Sequence, residues 1–190
     1  MKGIINQAIQ EYVVHTRGDE AWWKIREETG IREVSFNPSR DYPDEWTARL
    51  LDHLSADSGR IKEDLLRDIG RFLVPHTLKR VYPTYIALAG NDVFSFLARV
   101  GLIHRKVVSC IPNAKPPSIE VLERGEDRMV VRYRSERRLF ALFQGLLEGV
   151  GDLFDRPITV REIETNGDIG ENECRFEVSL VRQPSPARSV

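Results

Sequence analysis

Cysteine is scarce in this chain, which has only two, and their placement limits the kinds of site it can hold. Cys110 and Cys174 stand far apart and outside any CxxC or Cys/His cluster. This spacing argues against both a disulfide framework and a zinc site. We expect two reduced, partly buried thiols that are packed or simply exposed rather than redox sensors.

The net charge is also small, −1 at pH 7, and long hydrophobic runs are missing. The 28 Lys and Arg residues are balanced by 29 Asp and Glu residues, so no net field attracts nucleic acid or an anionic membrane. No segment approaches the roughly 18 uninterrupted apolar residues of a transmembrane helix, and the first residues lack the apolar core of a secretion signal. We therefore expect a cytoplasmic protein that has neither nucleic acid nor a membrane as a partner.

The first part of the chain has the pattern of a helical lobe. Apolar residues recur there at intervals of three and four, as at Ile5, Ile9 and Tyr12, which is typical of amphipathic helices. Asp and Asn residues stand at several boundaries, where they can cap the helix that follows. The pattern predicts helices over 3–15, 19–29, 44–55, 60–75 and 92–111.

The second part predicts a sheet. Pro112, Pro116 and Pro117 end the helical pattern, because proline favours an extended chain before it. Alternating apolar runs then predict one hairpin and a second antiparallel pair, with a helix between them. The strands are expected over 118–123, 127–133, 158–164 and 174–181, and the helix over 138–153.

The fold class is therefore α+β, with a helical N-terminal lobe followed by a C-terminal lobe of antiparallel sheet and helices. The length of 190 residues is sufficient for one compact domain with a buried core. We expect a single domain over 1–182 and a disordered polar tail over 183–190.

Three hydrogen-bonding side chains follow one another where a predicted strand ends. Tyr133, Ser135 and Arg137 alternate along the chain, and alternate residues of an extended backbone share a face. Hydroxyl donors beside a planar guanidinium suit a ligand that carries carboxylates. Taken alone, the same pattern is more common at a solvated strand end.

His104 lies on the predicted 92–111 helix among apolar neighbours. Neutral imidazole in an apolar setting is the usual ligand of haem iron, although a lone histidine of this kind is more often structural. His15, His53 and His76 are interpreted as structural.

Together these features resemble the haem nitric oxide/oxygen-binding (H-NOX) family, whose sensor domain is also found in soluble guanylate cyclase. The resemblance covers nearly the whole chain, including its first six residues, the segments 69–72 and 88–92, and the Tyr-x-Ser-x-Arg motif. Its strongest point is spacing, since His104, Pro117 and Tyr133 stand at the separations that the family keeps.

The resemblance implies haem b (iron protoporphyrin IX) buried between the lobes as cofactor. His104 would bind the iron on the proximal side, and Pro117 would hold the porphyrin away from planarity. Tyr133, Ser135 and Arg137 would bond the propionates. A buried cofactor with two negative groups needs such partners, and the rest of its pocket must be apolar. Candidates for the distal wall are Ile5, Leu73 and Leu142.

The same resemblance addresses gas selectivity. Family members that hold O2 stably use a distal tyrosine where this chain has Leu142, and neither Ile9 nor Leu73 supplies a donor. We therefore expect binding of NO and CO with little affinity for O2. His76 leaves this open, because it lies one turn beyond Leu73 and an inward orientation would weaken the argument.

As a mechanism, the resemblance implies that NO breaks the bond between iron and His104, so that the histidine helix shifts and a docking surface changes. No kinase or cyclase motif is present, so we expect a sensor rather than an enzyme. By family analogy the partner is a separate histidine kinase or diguanylate cyclase of a bacterium.

Two other functions stay open at this point. A haem enzyme of peroxidase or NO-oxidising type would need a distal acid/base pair, for which the sequence offers only His76. A haem-free interaction module that kept the fold would depend more on Trp22, Trp23 and the charged helix faces than on His104.

Overall fold

The helical lobe forms as the apolar periodicity predicts. A computed structural model describes residues 1–109, 117–163 and 170–181. Cys110, Pro112, Pro116 and the whole predicted tail over 183–190 lie outside this part of the chain. The helices before the sheet are α1 (Gly3–Arg17), α2 (Asp19–Thr29), α3 (Asp44–Ser58), α4 (Lys62–Phe72), a π-helix (Leu73–Leu78), α5 (Lys79–Val81), α6 (Pro83–Ala89) and α7 (Val93–Ser109).

The helix starts differ from the expected capping at two of the boundaries. Asp19 and Asp44 are the first residues of α2 and α3, and neither helix has a side-chain cap. Both carboxylates instead lie in the first turn, where they interact favourably with the positive end of the helix dipole. Capping by Asp92 is confirmed, since its Oδ1 accepts a 2.9 Å bond from the Ser95 amide.

The helix predicted over 60–75 does not stop at its proline. It continues through the π-helix, which contains Pro75, to the end of α5 at Val81. Proline lacks an amide donor and crowds the carbonyl four residues earlier, and a wider turn relieves both effects. The short helix α6 was not predicted; it begins with a proline at its first position, which is favourable there.

The sheet has four antiparallel strands in the order β1-β2-β4-β3. Because β2 pairs with β4, the two predicted strand pairs form one sheet. Helix α8 connects β2 to β3 and begins at Phe140, two residues later than predicted, after Arg138 takes a positive φ of 51°. The bounds are β1 (Ser118–Arg124), β2 (Arg128–Arg134), α8 (Phe140–Leu153), β3 (Ile158–Glu162) and β4 (Glu173–Leu180).

Two hydrophobic cores lie in the two lobes, and α8 contributes to both. Leu142 belongs to the core of the helical lobe, which we call the N-lobe core, whereas Phe143 belongs to the core under the sheet, the C-lobe core. The N-lobe core also contains Ile9, Trp22, Leu50, Ile69 and Leu73, and the C-lobe core contains Val93, Leu97, Met129, Tyr133 and Phe176.

Helices α4 and α8 approach each other closely at glycines. A Cβ placed on Gly145 would lie 1.9 Å from the Arg67 carbonyl oxygen, and one on Gly70 would lie 2.2 Å from the Leu142 carbonyl oxygen. Such distances leave no room for any side chain.

The α+β class expected from the sequence is confirmed. Within the described residues, no helix is both long and apolar enough to cross a bilayer.

Candidate functional site

His104 lies on the side of α7 that contacts the sheet. One turn earlier, Gly101 lets the helix pack against β1, because a Cβ there would lie 2.5 Å from the Ile119 carbonyl oxygen. His104 is half-buried, and burial lowers its pKa from 6.5, while a hydrogen bond to the Pro117 carbonyl acts in the opposite direction. The side chain is therefore a neutral imidazole at neutral pH.

This hydrogen bond also orients the imidazole. A carbonyl oxygen only accepts, so the ring nitrogen that faces Pro117 carries the proton. The other ring nitrogen then has the lone pair. An oriented, neutral imidazole of this kind is the form that binds a metal ion.

Tyr133 is buried in the C-lobe core at the end of β2. Its ring stacks on Phe143 at a centroid distance of 4.3 Å and meets Phe140 edge-on at 6.0 Å. Burial raises its pKa, and the nearby Ser135 hydroxyl and Arg137 charge offset only part of this effect. The phenol is therefore protonated and can donate a hydrogen bond.

Ser135 and Arg137 follow in the turn after β2. The Ser135 amide donates to the Asn172 carbonyl at 2.8 Å, and the Ser135 hydroxyl oxygen accepts a 3.3 Å bond from the Arg137 amide. These bonds fix the turn, so the hydroxyl and the guanidinium stay close to Tyr133.

Arg137 has a partner in the helical lobe. Its Nε donates to Asp44 Oδ2 at 2.8 Å, and Asp44 also pairs with the amino group of Met1. Burial alone would raise the pKa of Asp44, but the bonds from Met1 and Arg137 outweigh it, so the pKa lies below its usual range. The two Nη nitrogens of Arg137 make no hydrogen bond within the described residues.

The strand register brings these residues to one end of the sheet. Ile119 is paired with Tyr133, and β1 starts at Ser118, opposite Arg134. Pro117 therefore enters the sheet next to the turn that holds Ser135. One end of the β1–β2 pair is therefore surrounded by His104, Pro117, Tyr133 and Ser135. Arg137 lies next to it, two residues after Ser135 in the same turn.

The three candidate distal residues are also brought together, but in the other core. Leu73 and Leu142 are buried in the N-lobe core, and Ile5 is half-buried against it. Leu142 immediately precedes Phe143, on which Tyr133 stacks. The two groups of residues are thus joined through α8.

His76, whose orientation the sequence left open, is exposed at the surface. Its ring stacks on Phe72 at 4.3 Å with an angle of 17° between the planes. It therefore supplies no hydrogen-bond donor to the N-lobe core. Trp22, in contrast, is buried. Trp23 carries the Arg26 guanidinium over its ring, so the two tryptophans do not form one exposed binding surface.

The donor set fits a haem. A half-buried neutral imidazole suits the iron, and two hydroxyls beside a guanidinium with unbonded Nη nitrogens suit two carboxylates. Asp44 is the residue that sequence reasoning missed. Its segment was interpreted only as a helix start, and no local pattern can reveal a pairing across 93 residues.

Solved structures share this fold. One, from work on the molecular mechanism of H-NOX activation, has a TM-score of 0.83 at 23% identity and covers 96% of this chain and 97% of its own. The H-NOX protein from S. oneidensis in the Fe(II)NO ligation state has a TM-score of 0.81 at 21% identity, with 96% and 100% covered. The fold therefore places the protein in the class of H-NOX-like α+β domains.

A sequence comparison makes the assignment specific. The profile of the Haem-NO-binding family (HNOB) matches residues 2–162, and the chain belongs to this family. The family is related to the haem gas-sensing domain of soluble guanylate cyclase, and H-NOX domains bind haem.

Two curated relatives are much longer than this chain. Soluble guanylate cyclase 89Db from Drosophila melanogaster is 25% identical over 171 residues, which is 89% of this chain and 26% of that protein. Soluble guanylate cyclase gcy-31 from Caenorhabditis elegans is 20% identical, with 89% and 24% covered. The chain thus spans about a quarter of the length of these relatives.

Proposed function

We propose that this chain binds haem b between its lobes through His104 and acts as a sensor of NO and CO. The observation that carries the proposal is the position of His104. Its neutral imidazole is held by the Pro117 carbonyl at the end of the sheet where Tyr133 and Ser135 lie.

Each residue has a role that follows from its chemistry. When bound, ferrous haem supplies an iron centre that takes NO, CO or O2. His104 would bind that iron through the nitrogen that faces away from Pro117. Tyr133 and Ser135 would donate hydroxyl hydrogen bonds to the propionates, and the Nη nitrogens of Arg137 would add a charged pair. Pro117, at the start of β1, would press on one edge of the ring.

The apolar character of the distal residues supports low affinity for O2. Bound O2 carries partial negative charge and gains from a hydrogen-bond donor, whereas NO and CO depend on one much less. Ile5, Leu73 and Leu142 have no donor to offer, and His76 lies on the outside of the lobe.

The signal would leave through α7. If NO binding releases His104 from the iron, this helix loses its link to the cofactor but keeps its contact with β1 at Gly101. We propose that α7 then shifts against the sheet and changes a surface for a separate histidine kinase or diguanylate cyclase in the bacterial cytoplasm. In this proposal the domain senses and does not catalyse.

Visible spectra of the anaerobic ferrous protein test the gas selectivity. We expect the Soret band of five-coordinate haem, which shifts on adding NO or CO and is not converted to a stable oxygen complex in air. A stable spectral change in air would contradict low O2 affinity. A protein purified after haem supplementation that shows no Soret band would contradict haem binding itself.

A further inference from the structure

Two histidines from different elements meet on the outer face of the helical lobe. His15 is near the end of α1 and His76 is in the π-helix, and their ring centroids are 5.4 Å apart with an angle of 36° between the planes. Both side chains are exposed. Within the described residues, neither ring has a hydrogen-bond partner. The pair is therefore open to a ligand from solution.

The separation of the two rings matches that of a metal chelate. A tetrahedral ion with metal–nitrogen distances of about 2.0–2.1 Å holds two imidazole centroids roughly 5 Å apart. Small rotations of two exposed side chains would bring one nitrogen of each ring to a shared ion. The ring centroids are already at about this spacing.

Phe72 holds both rings without using their nitrogens. Its ring lies 4.3 Å from that of His76, nearly parallel, and 5.3 Å from that of His15. Stacking involves the face of an imidazole, whereas a metal ion binds the lone pair in the ring plane. The contact with Phe72 limits the motion of the histidines and leaves them able to bind.

One carboxylate, that of Glu11, is connected to both elements of the pair. Glu11 is one turn before His15 and accepts a 2.8 Å bond from the hydroxyl of Thr77, the residue after His76. It pairs with Arg80, which keeps it in position. Its negative charge lies one helical turn from His15 and is bonded to the residue after His76, so it would offset part of the charge of a bound cation.

We propose that His15 and His76 together bind one divalent transition-metal ion of the Zn2+, Ni2+ or Cu2+ type. Imidazole is a ligand that suits these ions. The described residues contain no group of three or more His, Cys, Asp or Glu side chains suited to a metal, so water completes the coordination. The ion links α1, which carries Ile5, to the π-helix, which begins at Leu73. Its binding does not depend on haem.

Isothermal titration of Zn2+ and Ni2+ into the full chain, in a buffer without chelators, tests this site. We expect saturable binding of one ion per chain and a higher Tm in its presence, because the ion binds the folded state. His15→Ala and His76→Ala should each abolish both effects. His53→Ala is the matched control and should retain them, since His53 pairs with Glu28 elsewhere on the lobe.

A second measurement uses only the unmodified sequence. Diethyl pyrocarbonate labels exposed histidines, and bound Zn2+ should protect His15 and His76 from it, whereas any labelling of the half-buried His53 should be the same with and without the ion. Binding that survives either alanine substitution, equal labelling with and without Zn2+, or no binding below millimolar Zn2+ would each overturn the proposal.

Discussion

His104 is held by one backbone carbonyl, and its proposed role depends on one nitrogen. Replacing it by glycine removes the proposed iron ligand and leaves a space of imidazole size. We expect His104→Gly to lose most haem on gel filtration and to regain it when free imidazole is added. Ser109→Gly serves as a control on the same helix and should keep its haem. Failure of imidazole to restore the Soret band would argue against His104 as the ligand.

The same side chain makes stability depend on pH. Burial places the pKa of His104 in the folded state below its ordinary value of 6.5, so the folded state favours the neutral ring. As pH falls through 6.5, the unfolded chain takes up a proton that the folded chain resists. The contribution of His104 to the unfolding free energy is thus fully present above that pH and decreases below it. The decrease is at most about 1.4 kcal/mol per pH unit for one proton. Iron bound by His104, as proposed, would act in the same direction, because it too requires neutral imidazole.

Urea unfolding at a series of pH values from neutral to mildly acidic measures this effect. The slope of the unfolding free energy should be smaller in His104→Gln, which cannot take up the proton. Equal slopes for the two proteins would show that His104 does not contribute.

Leu142 allows the gas selectivity to be tested with a pair of variants. Leu142→Tyr adds a phenol donor to the apolar wall, whereas Leu142→Phe adds a ring without the hydroxyl. Both substitutions overpack a buried position and should cost about 1–3 kcal/mol of stability. Only the tyrosine variant should hold O2 in air, as judged by its visible spectrum. Identical spectra in air for the two variants would contradict a hydrogen-bond basis for selectivity.

The proximity of candidate site residues could be predicted where they are close in sequence, and not where they are distant. Tyr133, Ser135 and Arg137 are close in sequence, and the structure keeps them close in space. Asp44 escaped prediction because its contact with Arg137 arises from packing of the lobes. The outward orientation of His76 was equally out of reach, since the π-helix rotates it relative to a regular helix.

At the scale of elements, the contact between α4 and α8 allows a sharp prediction. Gly145→Ala places a methyl group 1.9 Å from the Arg67 carbonyl oxygen, and neither backbone can move without separating the helices. We expect a loss of at least about 1–3 kcal/mol in unfolding free energy. Gly170→Ala, where a Cβ meets nothing within 4 Å, should stay within about 0.5 kcal/mol of wild type.

Chemical denaturation of both variants measures the difference. A Gly145→Ala protein as stable as the Gly170→Ala protein would show that the two helices are not held as closely as described.

Two bidentate ion pairs, Arg67 with Glu148 and Arg71 with Asp152, flank this contact. They link the same two helices and so would not relieve the clash with an added methyl group.

Periodicity predicted most elements because each buries one face. The strands of the sheet and the helices α1, α2 and α7 begin within two residues of the predicted positions. Prediction failed where a proline had two possible effects. The helix predicted over 60–75 continues beyond Pro75, because the chain accommodates this proline by widening one turn. Helix α6, which Pro83 starts, was missed because its seven residues are too short to show a helical periodicity.

At the scale of the whole molecule, the two cores should unfold together. Helix α8 supplies Leu142 to one core and Phe143 to the other, so neither core is complete without it. All three tryptophans are in the helical lobe and report its unfolding by fluorescence. Hydrogen exchange of the β2 and β4 amides reports the sheet. We expect the two probes to give the same midpoint in urea, as for a two-state domain.

Two separate midpoints would show that the lobes are independent domains. Leu142→Ala offers a further check, since it removes a contact from the N-lobe core alone. If the lobes unfold together, this substitution should lower the midpoint of the sheet amides by as much as that of the tryptophan signal.

The double role of α8 also limits how this protein can be divided. A chain cut before Phe140 leaves the helical lobe without Leu142, and a chain cut after Leu153 leaves β1 and β2 without β4. Neither piece would be expected to persist as a soluble fragment. Any attempt to express the protein as two halves, or to exchange one lobe with that of a relative, meets this limit. Residues 140–153 would have to stay with the residues of both cores against which α8 packs.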